Sequence, residues 1–438
     1  MFDAQSLAEW IRHIEILHSK PIDLGLERMR EMIRRMGISF AGRTFITVGG
    51  TNGKGSTCAM LESIYRAAGY TTGMHTSPHL LRLNERCRVN GREVSDERLI
   101  AAFREVEKAR GDMTLSYFEY TALAFLRIFQ EEGVEAVICE IGLGGRLDAI
   151  NAVDADASII ATVGIDHVAF LGGTREKIGW EKAHIYRPGR PAVCADPDVP
   201  VTVSDYVKEI GAKRLFAGID WKVTEHADTT FDFEMGGRVL KNLPEPALYG
   251  ENQYRNAGGV LAAVMSLQDR LPVTQEAIAK GLTSVRLCAR FEKICDEPAP
   301  TVIDVGHNPQ AAQVLRENMD RSRRPGEVTL AVFGMLRDKD MTGVSRILGG
   351  GADEWFVASL TGPRAATAEQ LSACMLDAGI DPAAIRRFAD VKAALLAAQE
   401  RARALLSRGT AVRIMIFGSF VTVTAALEAL SEQGVRVG

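Results

Sequence analysis

The chain has no Cys-x-x-Cys pair: its seven cysteines, at positions 58, 87, 139, 194, 288, 295 and 374 of 438, are scattered and odd in number. That excludes a disulfide framework, offers no zinc-site spacing and points to a reducing compartment. No window approaches about eighteen uninterrupted apolar residues, and Met1 to Trp10 has no basic stretch leading into a long apolar core. Neither a membrane span nor a secretory leader is expected, and the reading is a soluble, cytoplasmic protein. Basic charge is not in excess either. With 52 Lys and Arg against 56 Asp and Glu, the net charge is −4 and the pI about 6.1, which leaves no basic patch for nucleic acid or an acidic membrane. What is present is apolar matter, 46% of residues, enough in a chain of this length for two cores rather than one.

Strand-like runs alternate with helical patterns. Residues 44–48, 134–141 and 157–163 read as strands, with helices at 96–110 and 117–132 between them. The alternation predicts an α/β fold, a mostly parallel sheet with helices on both faces, with ligands at the carboxyl ends of the strands. A charged, β-rich stretch at 220–243 reads as an insertion on the rim, and helices are expected at 252–269 and 274–283. The pattern then breaks, and residues 288–299 read as a linker. A second series follows, with strands at 301–305, 328–333, 354–358 and 411–417 and a helix at 391–407. The expected organisation is a first domain over 1–287 and a second, smaller α/β domain over 300–438.

The strongest local signal is Gly50-Thr51-Asn52-Gly53-Lys54-Gly55-Ser56, between the β-like run 43–48 and an amphipathic stretch from about 56 to 69. A strand that breaks into glycines and then a helix aims backbone N–H groups and a helix N-terminus at one point, which suits a polyphosphate. Lys54 adds a charge for the β and γ phosphates. The literal Walker pattern is not met, because Val48 stands at its first glycine and Gly55 separates Lys54 from Ser56. This is a variant phosphate loop; the plainer alternative is a glycine turn with a solvated lysine.

Four polar sites follow strand-like runs: Thr76-Ser77-Pro78-His79, Glu140, Asp166-His167 and Lys182. A hydroxyl, a carboxylate and an imidazole at one sheet edge are hard donors that, with nucleotide phosphates, complete octahedral shells around magnesium. Singly, each has a plainer explanation: a buried carboxylate paired with a lysine or arginine for Glu140, a satisfied core histidine for His167, a surface lysine for Lys182. Gly142-Leu143-Gly144-Gly145-Arg146-Leu147-Asp148 fails the dinucleotide fingerprint at Leu147. It fits a structural turn as well as a close approach to substrate. Asp304-Val305-Gly306-His307-Asn308-Pro309 follows a strand and opens a helix, where an N-cap explains Asn308 and Asp304 and His307 remain ligand candidates.

Together these segments resemble the folylpolyglutamate synthase family, relatives of the Mur ligases, and within it the bifunctional dihydrofolate synthase/folylpolyglutamate synthases of bacteria. The resemblance covers nearly the whole chain. It rests on His18-Ser19-Lys20 with residues 23–28, the phosphate loop, residues 76–80, Tyr117-Phe118-Glu119-Tyr120, residues 140–148 with Asn151, Asp166-His167, Glu181-Lys182-Ala183, residues 304–309, Gly334-Met335-Leu336 with Asp338-Lys339-Asp340, and Gly418-Ser419-Phe420.

The resemblance implies an ATP-dependent ligase. A substrate carboxylate takes the γ-phosphoryl group of ATP to give an acyl phosphate, from which the amine of L-glutamate displaces phosphate. It implies 7,8-dihydropteroate and reduced folates as acceptors, and two magnesium ions held by Ser77, Glu140 and His167. Lys54, with Thr51, Asn52, Gly53, Gly55 and Ser56, would cradle the phosphates. Lys182 resembles the family's carbamylated lysine, and with Lys54 and His167 makes up the implied catalytic set. Asn256, Arg290, Asp304 and His307 match positions that grip the nucleotide, the last two from across a cleft. Pro78, His79, Phe118, Asp148 and Ala149 match positions around the pteroate or folate. A monomer that binds neither nucleic acid nor membrane is implied as well.

The chain departs from the family at Ala289 and His184, where glycine is usual, at Gly306, where alanine is common, and around Tyr254-Arg255-Asn256. A chain extender lacking the dihydropteroate activity is the near alternative. A Mur-type ligase would need a nucleotide-sugar domain ahead of the phosphate loop, where only a short helical segment is read. An ATP-sensing or GTPase-like module would not need Asp304 and His307, and no Asn-Lys-x-Asp guanine motif occurs.

Overall fold

A computed structural model describes residues 2–20 and 23–436. Met1, Pro21, Ile22, Val437 and Gly438, which fall within the expected domain ranges, lie outside the described residues. The chain forms two compact units, one of Met1–Gly164, Val168–Ala247 and Gln253–Arg286, the other of Ile165–His167, Leu248–Asn252 and Leu287–Gly438.

The first unit is built on β1 (Thr44–Gly49), β2 (Thr72–His75), β3 (Cys87–Val89), β4 (Arg92–Glu93), β5 (Ala136–Glu140), β6 (Ala157–Ile160), β7 (Pro191–Cys194) and β8 (Lys213–Phe216). They lie in the order β4-β3-β2-β5-β1-β6-β7-β8. All are parallel except the hairpin β3 and β4. Every residue of β1 and β5 is buried. Helices cover both faces, so these strands are apolar throughout rather than alternating. Register brings their ends level: Val48 pairs with Glu140, Gly49 with Ile160 and His75 with Cys139. The phosphate loop, Thr76-Ser77, Glu140 and residues 161–164 therefore leave the sheet at one edge.

Two helices, Leu7–Ile16 and Glu27–Met36, precede β1 where one segment was read. The expected helix near 56 begins at Lys54 and runs to Ala67. Helices Asp96–Arg110 and Tyr117–Glu131 begin at serine caps, Ser95 and Ser116. The strand expected over 157–163 stops at Ile160: Ala161 N still donates to Gly49 O of β1, but Thr162 O then takes Thr51 N of the phosphate loop and Val163 N donates to the Asp196 carboxylate. The stretch at 220–243 is a separate antiparallel sheet of β9 (Trp221–Glu225), β10 (Thr230–Met235) and β11 (Arg238–Pro244).

The second unit holds β12 (Glu292–Cys295), β13 (Thr301–Asp304), β14 (Val328–Phe333), β15 (Glu354–Ala358), β16 (Ile385–Phe388) and β17 (Val412–Phe417), in the order β12-β13-β17-β14-β15-β16. All but β12 run parallel. The supposed linker at 288–299 thus contains an edge strand. Its sequence, Glu-Lys-Ile-Cys, has no buried residue; an edge strand with one partner needs no apolar run. Phe333, Trp355 and Phe417 centre the core of this unit, with ring centroids 5.3 to 6.0 Å apart. No helix among the described residues is long and apolar enough to cross a membrane.

Candidate active site

After β1 the chain turns at Gly50, with φ 139°, where a methyl group would come within 3.1 Å of the backbone nitrogens of Ala161 and Thr162. The next residues are stitched to that neighbouring loop. Thr51 N donates to Thr162 O at 2.7 Å, Asn52 N to Thr162 Oγ1 at 3.0 Å, and Gly164 N to Thr51 Oγ1 at 2.9 Å. Gly53 caps the helix at φ 85°, and a methyl group there would meet Asn256 Oδ1 at 2.7 Å. Asn256 is itself buried and donates to Gln253 Oε1 at 2.9 Å, so it backs the phosphate loop directly. Thr57 N makes the first helical bond, to Gly53 O. The donors of the turn before it are those an anion can take.

Lys54 is the first helical residue. Its Nζ lies 3.2 Å from Thr51 O and 3.8 Å from Glu140 Oε1. Glu140, buried at the end of β5, also accepts from Ser77 N at 3.0 Å through Oε2. Glycine loop, lysine, carboxylate and serine thus meet in one unit. Lys182 joins them: it is buried on helix Arg175–Ala183, not on the surface, and its Nζ donates to Gly50 O at 3.0 Å. Gly145 fits beneath this helix because a side chain there would meet Glu181 O at 2.7 Å. The glycine-rich turn at 142–148 therefore has a packing role.

His167 is not the core histidine of the plainer reading. It is half-buried, at φ 51°, between exposed Ile165 and Val168, and belongs to the second unit. Its N–H donates to Asp166 Oδ1 at 2.7 Å. Asp166 also takes Lys339 Nζ at 2.6 Å and Asn308 Nδ2 at 3.2 Å, with His307 Nε2 at 3.5 Å. Burial opposes its ionisation, but the His307 bond and the Lys339 charge prevail and hold its pKa far below the usual range. Lys339 was not foreseen as part of this site, since a pair 173 residues apart leaves no trace in local spacing.

Asp304 ends β13 and accepts from Gly306 N at 2.7 Å and Phe291 N at 3.0 Å, while desolvation pushes its pKa up against those bonds. Arg290 lies 5.8 Å over the Phe420 ring. Ala289 has φ 58°, a conformation alanine enters at a cost of roughly 1 kcal/mol or more, which accounts for the glycine expected there.

Phe118 packs so closely over Gly142 that a methyl group there would meet its Cζ at 2.7 Å. Ala149 opens a buried 3-10 turn capped by Asp148. Pro78 follows Ser77, and His79 Nδ1 accepts from Arg86 Nε at 2.8 Å. Burial, with the Arg86 charge, lowers the His79 pKa to about 4. Arg86 is a residue the sequence reading missed, hidden in a run of charges at 82–88.

Asp148 is fully buried. Its carboxylate accepts from Leu143 N at 2.9 Å and Ile150 N at 3.0 Å, yet burial outweighs these bonds and raises its pKa from 3.8 to about 7. The fold then binds this proton more tightly than the unfolded chain does. The associated stability is complete below 3.8 and is lost as pH rises through about 7. Asp148→Asn should flatten the decline in unfolding free energy across that window, as measured by denaturant titration on either side of it; a decline as steep as the parent's would refute the assignment.

Among the described residues no three or more His, Cys, Asp or Glu side chains form a metal cage. The neighbouring donors, Glu140 and Ser77, are hard oxygens, a set that suits magnesium when phosphates and water supply the remaining positions.

The Mur ligase middle domain matches residues 48–264, and the Mur ligase glutamate ligase domain matches 289–419. The dihydrofolate synthase/folylpolyglutamate synthase of Escherichia coli K12 is 45% identical over 370 residues, spanning 84% of this chain and 85% of that one. The structure of E. coli FolC with DHPP and ADP superposes with a TM-score of 0.90 at 39% identity, covering 99% of this chain and 100% of that one. A bifunctional folylpolyglutamate synthase/dihydrofolate synthase with Mn, AMPPNP and L-glutamate bound gives 0.88 at 38%, covering 98% of each chain. The two domain models match in sequence order along most of the chain, and the chain belongs to the dihydrofolate synthase/folylpolyglutamate synthase family of Mur ligases.

Proposed function

We infer that this chain is an ATP-dependent ligase joining L-glutamate to 7,8-dihydropteroate and to the γ-carboxylate of reduced folates. The observation that carries the reading is the meeting of Lys54, Glu140 and Ser77 beside a glycine-lined phosphate loop. The acceptor carboxylate oxygen attacks the γ-phosphorus, the bond to ADP breaks, and an acyl phosphate results. The glutamate amine then attacks the acyl carbon and phosphate leaves, the amine proton passing to solvent or phosphate. Lys54 follows the charge as it moves onto the bridging oxygen.

Magnesium, taken as two ions, would be held by Glu140, Ser77 and His167, and when bound would neutralise the triphosphate. Asn256 supports the loop from behind, and Arg290, Asp304 and His307 are proposed to hold the nucleotide. Pro78, His79, Phe118, Asp148 and Ala149 are proposed to line the pteroate or folate site. Carbamylation of Lys182 would turn a buried cation beside Gly50 into an anion able to orient the acyl phosphate or a second metal. The functional division proposed is an ATP- and pteroate-binding part over 1–287 and a nucleotide- and glutamate-side part over 300–438, in a cytoplasmic monomer with no nucleic-acid or membrane partner.

Phosphate release from ATP, magnesium and L-glutamate should depend strictly on added dihydropteroate or tetrahydrofolate, with the glutamylated products seen by mass spectrometry. Release without an acceptor would overturn the ligase reading; products from tetrahydrofolate alone would leave a chain extender.

A further inference from the structure

Arg86 closes the short 3-10 turn Leu83–Arg86 that follows the loop bearing Ser77 and His79. Its neighbours are neutralised: Arg82 pairs with Glu93 and Arg88 with Glu62. Arg86 is not. Among the described residues no carboxylate lies within ion-pair reach of it. The adjacent Glu85 spends its carboxylate on the backbone N–H groups of Leu80, Leu81 and Arg82, each at 2.7 Å.

The arginine is nonetheless fixed in place. Its Nε donates to His79 Nδ1 at 2.8 Å, its guanidinium lies 5.5 Å over the Tyr117 ring, and its carbonyl accepts from His75 Nδ1 at 2.9 Å and Thr76 N at 3.2 Å. Burial depresses its pKa and outweighs the more distant charges of Glu140 and Glu85. One edge of the guanidinium is used and the two terminal nitrogens remain, a fork that fits a carboxylate.

Two kinds of carboxylate reach this part of the enzyme if it is a folate ligase, the reading on which this inference rests. The reacting one must keep an oxygen lone pair free to attack phosphorus, and Lys54 already supplies charge for that step. A bidentate arginine on it would blunt the nucleophile. We propose that Arg86 binds the α-carboxylate of the terminal glutamate on folate acceptors, a group that 7,8-dihydropteroate lacks. Arg86 is then a specificity determinant for chain extension.

The test compares acceptors on the full-length protein. In Arg86→Gln, kcat/KM for tetrahydrofolate should fall at least about tenfold further than kcat/KM for dihydropteroate, chiefly through KM, with part of the loss recovered in Arg86→Lys. Equal losses with both acceptors, or a change confined to KM for L-glutamate, would overturn the proposal. A measurement needing no variant uses tetrahydrofolate α-carboxamide with the unaltered enzyme: it should be a poor acceptor, and turnover matching that of tetrahydrofolate would also overturn the proposal. Absence of turnover with every acceptor would instead sink the ligase reading itself.

Discussion

Lys54→Ala should lower kcat by about a thousandfold while leaving the thermal midpoint close to that of the parent. Lys54 sits at the first position of helix Lys54–Ala67, where alanine is a good helix former, so the backbone of the loop need not change. Its ammonium contributes little to packing: it bridges Thr51 O and the Glu140 carboxylate, and its side chain is 18% exposed. What is lost is charge aimed at a phosphoryl group in transit. Single-turnover phosphate release separates this from weakened ATP binding, and a near-normal rate would count decisively against the assigned chemistry.

Lys182→Ala should be comparably severe, for a different reason. The side chain is buried and its Nζ is bonded to Gly50 O, at the turn that begins the phosphate loop. Alanine removes that bond and leaves a space large enough for a small anion. If the native group is a carbamate, formate or acetate should restore a measurable fraction of turnover in the variant without affecting the parent. Full activity of the variant would refute a catalytic role, and loss of activity with no rescue would leave the amine, not a carbamate, as the working group.

Much of the fold was legible because buried parallel strands are apolar from end to end. β1, β5, β14 and β17 were readable on that ground, and helix Asp96–Arg110 because Ser95 punctuates its start. The strands missed are of another kind. β12 has no buried residue, and β16 carries Arg386 and Arg387 outward; each has a neighbour on one side only, so neither shows the pattern of a central strand. The opposite error occurred at 161–163, which are buried but lack a regular ladder: Ala161 N donates to Gly49 O, Thr162 O accepts from Thr51 N and Val163 N donates to Asp196 Oδ2. Side-chain pattern reports burial; it does not say where the hydrogen bonds go.

The candidate site divides in the same way. Glycines at positions of positive φ and a carboxylate inside an apolar run mark the phosphate loop and Glu140 locally. Arg86 is distinguished by the partner it does not have, and Asp166 with Lys339 by one far along the chain, so only assembled coordinates identify them.

The two units are threaded through one another in sequence, since the chain passes between them five times, at 164/165, 167/168, 247/248, 252/253 and 286/287. The C-terminal part is consequently not a detachable module. A fragment starting at Leu287 would leave behind Tyr249, whose ring stacks on Phe291 at 4.9 Å, and Asp166, the counter-ion of a Lys339 side chain only 5% exposed. Excision there would orphan a buried cation, and a gene fusion or split-protein design that respects the fold must keep both short excursions with the half they complete.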